Sequence, residues 1–215
     1  MLLPMNELGL EAGYACYETL LNTTSRQATL ELEHVRDYAV VYVDGHLQGS
    51  LDDSRKKIVL SGMSGKHHLQ LFVENIGRIT YGPEILDNSK GLFGWVKLDG
   101  EHVEDWTMKT LDIKNYHVED LSFSKDSTLH APCFYQGVFS TDASSSPIYL
   151  DISGWGMGEV WINGHYLGSF WEQEKQQSLL IPSNYLIPGT NTLVVFEMHD
   201  KAQQIMKLTD KPVFK

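Results

Sequence analysis

Residues 154–171 read GWGMGEVWINGHYLGSFW, and residues 41–50 read VYVDGHLQGS. Both stretches contain a β-branched or aromatic run, then an Asx-Gly-His turn, then a Gly-Ser pair. Each matched position is 119 residues from its counterpart, as Val41 is from Val160. A repeat of this length is the size of a whole small domain, and it is too long for a solenoid or a propeller blade. The sequence therefore predicts two tandem, related domains.

The similarity extends on both sides of these stretches. Residues 69–74 match residues 192–197, because each is a β-rich run that ends in glutamate. Upstream, Tyr17 matches Tyr135. These two tyrosines are 118 residues apart, one fewer than the 119 residues that separate the stretches at 41–50 and 160–169. Small changes of offset are what insertions in loops produce. The repeat therefore covers most of each half of the chain.

Nearly every patterned stretch is typical of a β-strand. Short runs alternate apolar and polar residues or are rich in β-branched and aromatic ones, and turn residues separate them. The Asx-Gly pairs at 44–45 and 163–164 tolerate the positive φ angles of a type I′ hairpin. The sequence predicts an all-β protein made of two tandem jelly-roll β-sandwiches. We place the first over residues 1–115 and the second over residues 116–215.

Composition excludes several classes of function. The chain of 215 residues carries 17 basic and 28 acidic side chains, a formal net charge of -11. Such a surface repels phosphate backbones, so nucleic acid is not an expected partner. No run of about 18 apolar residues is present, so we expect no membrane span. Residues 1–4 lack the basic flank and long apolar run of a secretion signal, and localisation stays open between cytoplasmic and secreted.

The chain contains only two cysteines, Cys16 and Cys133. The repeat places each of them near the start of a different domain. Because a disulfide requires Cα atoms within about 7 Å of each other, pairing of these two is disfavoured. We expect free thiols and a fold that does not depend on disulfides.

Several motifs identify a family. They are MNELG at 5–9, VRDYA at 35–39, VENIGRITYG at 73–82, KGLFG at 90–94, the Gly- and Trp-rich stretch at 154–171, QSLLIP at 177–182 and GTNTLVVFE at 189–197. In this order they resemble the C-terminal region of the β-galactosidases of glycoside hydrolase family 35. The resemblance extends from residue 4 to residue 200.

The resemblance implies that both domains are accessory β-sandwiches of the galactose-binding-like kind. The catalytic domain of that family is a (β/α)8 barrel with two glutamates, an acid/base and a nucleophile, and it precedes the region that this chain resembles. A retaining glycosidase needs two carboxylates about 5 Å apart on rigid supports. The sequence shows no barrel-like alternation of strands and helices. We therefore expect the chain alone to be inactive, and we assign no catalytic residue.

Two interpretations of the tryptophans remain open. An exposed ring complements the apolar face of galactose when a few polar groups converge beside it. Alternatively, large aromatic side chains contribute most of the burial in a core or a domain interface, and this is the interpretation for Trp161, which alternates with apolar neighbours. The candidate carbohydrate-binding residues are Trp155, Trp171, Asn163, His165 and Glu159.

Other polar residues point to structural roles. Glu74 and Glu197 occupy matched positions at strand ends in separate domains, so they are not expected to form a catalytic pair. His67 and His68 are adjacent and would point to opposite faces of a strand, which disfavours joint metal ligation. We expect neither a metal site nor a cofactor.

The resemblance implies a function for the chain. It would be an accessory region that packs against the catalytic barrel of a β-galactosidase and shapes the rim of its active site, and the parent would hydrolyse terminal β-galactosides. The alternative is a carbohydrate-binding module for galactose-containing glycans. Without a barrel the chain would expose an apolar face, so a homo-oligomer is also expected.

Overall fold

The structure is a computed structural model that describes residues 1–78, 80–125, 131–142, 147–199, 201 and 205–215. Within these ranges its regular secondary structure is almost entirely β-strand, with a few short 3-10 helices. The chain divides into two compact units, Met1–Tyr116 and His117–Lys215. The division lies one residue after the boundary predicted from the sequence. The predicted all-β class, with two tandem jelly-roll sandwiches, is confirmed.

The first unit forms two antiparallel sheets. Its strands are β1 (Gly13–Thr23), β2 (Gln27–Arg36), β3 (Tyr38–Val43), β4 (His46–Asp52), β5 (Lys57–Ser61), β6 (Gly65–Asn75), β7 (Gly91–Leu98), β8 (Glu101–His102) and β9 (Thr107–Leu111). Short 3-10 helices occupy Pro83–Leu86 and Ile113–Asn115. One sheet has the order β4-β3-β6-β1-β9 and the other β5-β2-β7-β8. Between them lies an aliphatic core in which Leu30, Val41 and Leu71 have no exposed surface.

The second unit is also a pair of sheets. Its strands are β10 (Cys133–Thr141), β11 (Ile148–Asp151), β12 (Met157–Ile162), β13 (His165–Trp171), β14 (Ser178–Ile181), β15 (Gly189–Glu197) and β16 (Lys207–Thr209). Two more 3-10 helices span Val118–Asp120 and Ser183–Tyr185. The sheet orders are β10-β15-β12-β13 and β14-β11-β16. Val160, Ile162 and Phe170 are buried in the core between them.

The two units repeat one topology. The order β13-β12-β15-β10 reproduces β4-β3-β6-β1, and β14-β11-β16 reproduces β5-β2-β7. Tyr17 and Tyr135 pair with the matched residues Leu71 and Val195, so the predicted match of the tyrosines is confirmed. β9 is an exception. It pairs with β1, whereas no described strand pairs with the outer side of β10, the counterpart of β1.

The matched turns have the same backbone geometry. Asp44 and Asn163 have φ angles of 51° and 49°, and each is followed by a glycine with positive φ. A type I′ turn requires positive φ at both central residues, which Asx-Gly pairs tolerate. Beyond each turn the register of the hairpin shifts by one residue at a β-bulge, next to Val41 in one unit and next to Val160 in the other. The repeat is therefore preserved in the details of the backbone.

The predicted match between Glu74 and Glu197 is wrong by one residue. The registers β3–β6 and β12–β15 match Leu71 to Val195, an offset of 195 − 71 = 124 residues, whereas the two glutamates are 197 − 74 = 123 apart. Successive residues of a strand point to opposite faces of the sheet. The glutamates therefore lie on opposite faces of the matched strands and do not share one structural role.

Two glycines of the stretch 154–158 allow unusually close packing. A Cβ atom at Gly158 would overlap the carbonyl oxygen of Phe196 on the neighbouring strand. At Gly156, a Cβ atom would lie 2.6 Å from the Cβ of His199 and 2.9 Å from Oε1 of Glu197. Any larger residue would push β12 and β15 apart. The family motif is thus explained here by packing between strands.

Cys16 and Cys133 are not joined by a disulfide. Burial raises the pKa of the Cys16 thiol to about 11, so the thiolate that would react is scarce at neutral pH. Among the residues that the structure describes, no helix has the length and apolarity to cross a bilayer.

We predict that Gly158→Ala destabilises the second unit by about 3 kcal/mol or more, because the new methyl group meets backbone that cannot move without breaking the sheet. Differential scanning calorimetry measures the change. Gly137→Ala is the matched control, since Gly137 is also a strand glycine of this unit and has nothing within 4 Å of an added Cβ. The explanation fails if both variants unfold at the same temperature.

Candidate functional site

Trp155, a predicted carbohydrate-binding residue, lies in the core of the second unit. Only 4% of its surface is exposed. Its ring packs edge-on against Tyr135 and Phe170, with centroids 5.7 and 6.5 Å away, and its Nε1 donates to the carbonyl oxygen of Ile205 at 3.2 Å. A stacking platform needs an exposed ring face. The structure therefore assigns Trp155 to packing.

Both polar atoms of the Asn163 side chain form hydrogen bonds that fix its turn. Its Nδ2 donates to the carbonyl oxygen of Tyr185 and to Oδ1 of Asn191, both at 2.8 Å. Its Oδ1 accepts the backbone N–H of Thr192, also at 2.8 Å. Asn191 is fully buried and also bonds the backbone of Ile187. This network fixes the segment between β14 and β15 to the hairpin.

The other predicted residues lie in different places. Glu159 is buried, and its Oε2 accepts the hydroxyl of Tyr166 at 2.7 Å. His165 is exposed and stacks on Tyr185, with ring centroids 4.7 Å apart. Trp171 is at the far end of β13 from His165, and six residue steps of extended chain span roughly 20 Å. The structure does not bring the five predicted residues together in one pocket.

Trp171 is followed in the chain by Glu172, which belongs to a polar group that sequence reasoning missed. Glu172 bonds Nζ of Lys201 at 2.9 Å, and its other oxygen is 3.5 Å from Nδ1 of His199. Trp171 itself is partly exposed. We call these four residues the Trp171 cluster. Its members come from the ends of β13 and β15, and no spacing in the sequence signals that these ends meet.

The buried carboxylate of Glu197 binds the backbone of His199, a member of this cluster. Glu197 accepts the backbone N–H groups of Gly156, Met157 and His199 at 2.8, 3.1 and 2.7 Å. Burial raises the pKa of Glu197, and the three N–H donors oppose that rise. Burial also lowers the pKa of His199, while the carboxylate of Glu172 acts in the opposite direction. Glu197 therefore holds the Gly-Trp-Gly turn against β15, which is a structural role.

In the first unit, four family motifs meet at one ion pair. Lys90 Nζ bonds both carboxylate oxygens of Asp37 at 2.7 and 2.8 Å, and the lysine is buried. Asp37 also accepts the backbone N–H of Ile76 at 2.9 Å. The backbone of Lys90 bonds Met5 and the side chain of Asn6. Motifs that are far apart in the sequence thus share one junction.

The loop of residues 76–89 connects Ile76 and Lys90, and both of these residues bond Asp37. Arg36 Nη1 holds the loop by bonding both the carbonyl oxygen and Oδ2 of Asp87, at 3.0 and 3.2 Å. Arg78 pairs with Glu11 near the other end. Ile79, within the same motif, lies outside the described residues. The loop is therefore tied to the sandwich at both ends.

The 76–89 loop carries large apolar side chains on its surface. Ile76, Tyr81, Ile85 and Leu86 are 53%, 85%, 44% and 96% exposed. Isolated exposed apolar residues are ordinary, but four of them within eleven consecutive residues concentrate apolar surface in one loop, and concentrated apolar surface often marks a contact. The motif at 73–82 is visible in the sequence, but the exposure of its apolar residues is not.

His67 and His68 engage different carboxylates. Nδ1 of His67 is 2.7 Å from Oδ2 of Asp44, and Nε2 of His68 is 3.4 Å from Oε2 of Glu18. Asp44 Oδ1 also accepts the backbone N–H of His68 at 2.7 Å. In the described part of the chain, no three His, Cys, Asp or Glu side chains are grouped so that they could hold a metal ion.

We predict that the first unit loses stability as the pH rises above the ordinary histidine pKa of about 6.5. The bond to Asp44 raises the pKa of His67, so this contribution is complete below the ordinary histidine pKa and is lost as pH rises through the folded value. Calorimetry and hydrogen exchange of β3 and β6 amides measure the effect, which His67→Gln should flatten. His46→Gln, at a histidine two residues after Asp44, is the control. An unchanged pH profile in His67→Gln would contradict the assignment.

Comparison with known proteins agrees with these motifs. The family described as "Beta-galactosidase, first all-beta domain" matches residues 3–112, and "Beta-galactosidase, galactose-binding domain" matches residues 132–191. The structure of a lectin from Pleurotus ostreatus in complex with GalNAc aligns with 94% of this chain at 13% identity. Its TM-score of 0.33 is too low to bear on fold or ligand.

Curated relatives are much longer than this chain. The human β-galactosidase-1-like protein 2 is 32% identical over 208 residues, which cover 95% of this chain and 32% of that protein. Bovine β-galactosidase is 31% identical over 94% of this chain and 36% of its own length, and the Xanthomonas manihotis β-galactosidase is 32% identical over 83% and 29%. The chain spans about a third of these relatives. It belongs to the β-galactosidase family, of which it carries the first all-β domain and the galactose-binding domain.

Proposed function

We propose that this chain is a non-catalytic accessory region of a β-galactosidase, that it packs against the catalytic barrel of the parent enzyme, and that it shapes the rim of the active site. The observation that carries the proposal is the 76–89 loop. This loop exposes four large apolar side chains, and the family motifs hold it at both ends.

The construction of the junction supports a contact role for the loop. The Lys90 side chain is buried and that of Asp37 is 28% exposed, so the pair loses much of the hydration of its charges and is weak evidence of stabilisation. Its clearer effect is geometric, because Asp37 bonds both Lys90 and the backbone of Ile76. A surface that is already ordered loses less conformational entropy when it binds. The apolar side chains are thus presented in a form suited to a permanent contact.

Catalysis is assigned to the part of the parent that this chain does not match. A retaining β-galactosidase requires two carboxylates about 5 Å apart. Glu74 and Glu197 belong to different units, and both are engaged: Glu74 accepts the hydroxyl of Tyr14, and Glu197 accepts three backbone N–H groups. Under the proposal, the parent hydrolyses terminal β-galactosides and this chain contributes shape and support.

A chimera tests the proposal. We expect the Xanthomonas manihotis β-galactosidase to keep its activity on a chromogenic β-galactoside when this chain replaces its matched region. Leu86→Asp in the chimera should lower kcat/KM and thermal stability, with at least a tenfold loss of activity, because a charge would be buried in an apolar contact. The isolated chain is expected to show no turnover.

The control is Leu20→Asp, which places the same charge at a leucine that is 78% exposed and lies outside the loop. This variant should behave like the parent chimera. Equal activity and stability of Leu86→Asp and Leu20→Asp would count against a contact at the loop. Turnover by the isolated chain, abolished by changing one glutamate, would overturn the non-catalytic assignment.

The second candidate function is a carbohydrate-binding module for galactose-containing glycans. The Trp171 cluster favours it, because a partly exposed tryptophan is followed in the chain by a glutamate whose carboxylate lies beside an imidazole and an ammonium group. These are the elements of a shallow sugar site. The cluster also lies in the unit matched by the family's galactose-binding domain. Of the residues predicted from the sequence, only Trp171 takes part.

Titration with galactose, lactose and a galactan, followed by amide NMR shifts, tests this candidate. If the cluster binds sugar, saturable shifts should appear around Trp171 and Glu172, with an affinity near the millimolar range, or about -4 kcal/mol. Trp171→Ala should abolish them, and Trp95→Ala, at a partly exposed tryptophan of the first unit, should not. Shifts that stay absent at sugar concentrations of about 100 mM would remove this candidate.

A further inference from the structure

We infer that two copies of this chain pair along β10 of the second unit. On one side, β10 is bonded to β15, and on its other side no described strand is bonded. Alternate residues of such an edge strand direct their N–H and C=O groups away from the sheet, where another strand can accept them. This surface is separate from the loop used in the proposed function.

The other sheet edges carry the features by which proteins prevent edge pairing. β4 and β13 each take part in a β-bulge. β5, β9 and β16 each contain a lysine, while β8 and β14 have only two and four residues. Bulges, charges and short length all discourage the addition of a strand. β10 has nine residues, CFYQGVFST, with neither charge nor proline, and it pairs with β15 without a shift of register.

The middle of β10 is open to solvent. Gln136, Gly137, Val138 and Ser140 are exposed, and Val138 is 70% exposed. A Cβ atom built on Gly137 would meet nothing within 4 Å. The middle of this strand is therefore accessible to solvent, and its outer side bonds to no described strand.

A second copy of the chain fits this edge because identical strands can pair antiparallel about a two-fold axis. An axis at Val138 places that residue opposite itself, Gln136 opposite Ser140, and Gly137 opposite Phe139. On one face an amide then meets a hydroxyl, and on the other a phenylalanine covers a glycine. Both are favourable cross-strand combinations.

Charge also favours this edge over other surfaces. Two copies with a formal net charge of -11 each repel one another. Residues 133–141 contain no charged side chain, so pairing here sets no like charges opposite each other. Because salt screens the long-range repulsion, the dimer should strengthen as ionic strength rises. A contact of this length is small, and we expect a dissociation constant of roughly 10 µM to 1 mM.

Sedimentation velocity of the whole chain across that concentration range tests the inference. We expect reversible dimerisation that Val138→Lys weakens at least tenfold, since the two lysines would face each other across the axis. Val59→Lys is the control, at an exposed valine of the edge strand β5. Circular dichroism checks that both variants fold. A wild-type monomer at all concentrations, or a dimer that survives Val138→Lys, would overturn the inference.

Disulfide trapping tests the register independently. With Cys16 and Cys133 changed to serine, Val138→Cys should form a disulfide-linked dimer rapidly on mild oxidation, because Val138 faces itself. Ser140→Cys should form it slowly, because Ser140 faces Gln136 of the other copy. Equal rates for the two variants would contradict the proposed axis.

Discussion

The architecture of both units depends on a side chain that reaches from a hairpin turn to the adjacent strand. Asp44 and Asn163 each adopt a left-handed backbone conformation, and each accepts the N–H of a residue on the next strand, His68 or Thr192. The same residues donate their own N–H to the carbonyl oxygens of those partners. Three strands are thereby held in one register. A slip of one residue would turn every buried side chain of a strand toward the opposite face.

Much of the fold could be predicted because its signals are local. The Asx-Gly pairs define the turns, strand patterns define the sheets, and the repeat of residues 41–50 at 160–169 defines the duplication. The match of Glu74 with Glu197 was harder, because a run of β-branched residues fits a strand equally well in either of two registers. Only the pairing of the strands shows which register is used.

The candidate sites were less accessible to sequence reasoning. Tryptophan has the same side chain whether it packs or binds, and the burial of Trp155 is decided by Tyr135 and Phe170, which lie on β10 and β13. Glu172, His199 and Lys201 are ordinary polar residues until two strand ends meet. The junction at Lys90 and Asp37 likewise depends on contacts between segments 53 residues apart. In each case the missing information is tertiary.

Asp44 and Asn163, which each tie a hairpin turn to the adjacent strand, differ in chemistry although their backbones match. We call each of them an Asx clamp. In the first unit a carboxylate faces an imidazole, so the strength of the clamp depends on whether a proton is bound. In the second unit an amide faces another amide, which neither gains nor loses a proton under ordinary conditions. The same backbone architecture therefore occurs in one unit with a clamp whose strength depends on pH, and in the other with a clamp whose strength does not. The path of the chain is the same in both.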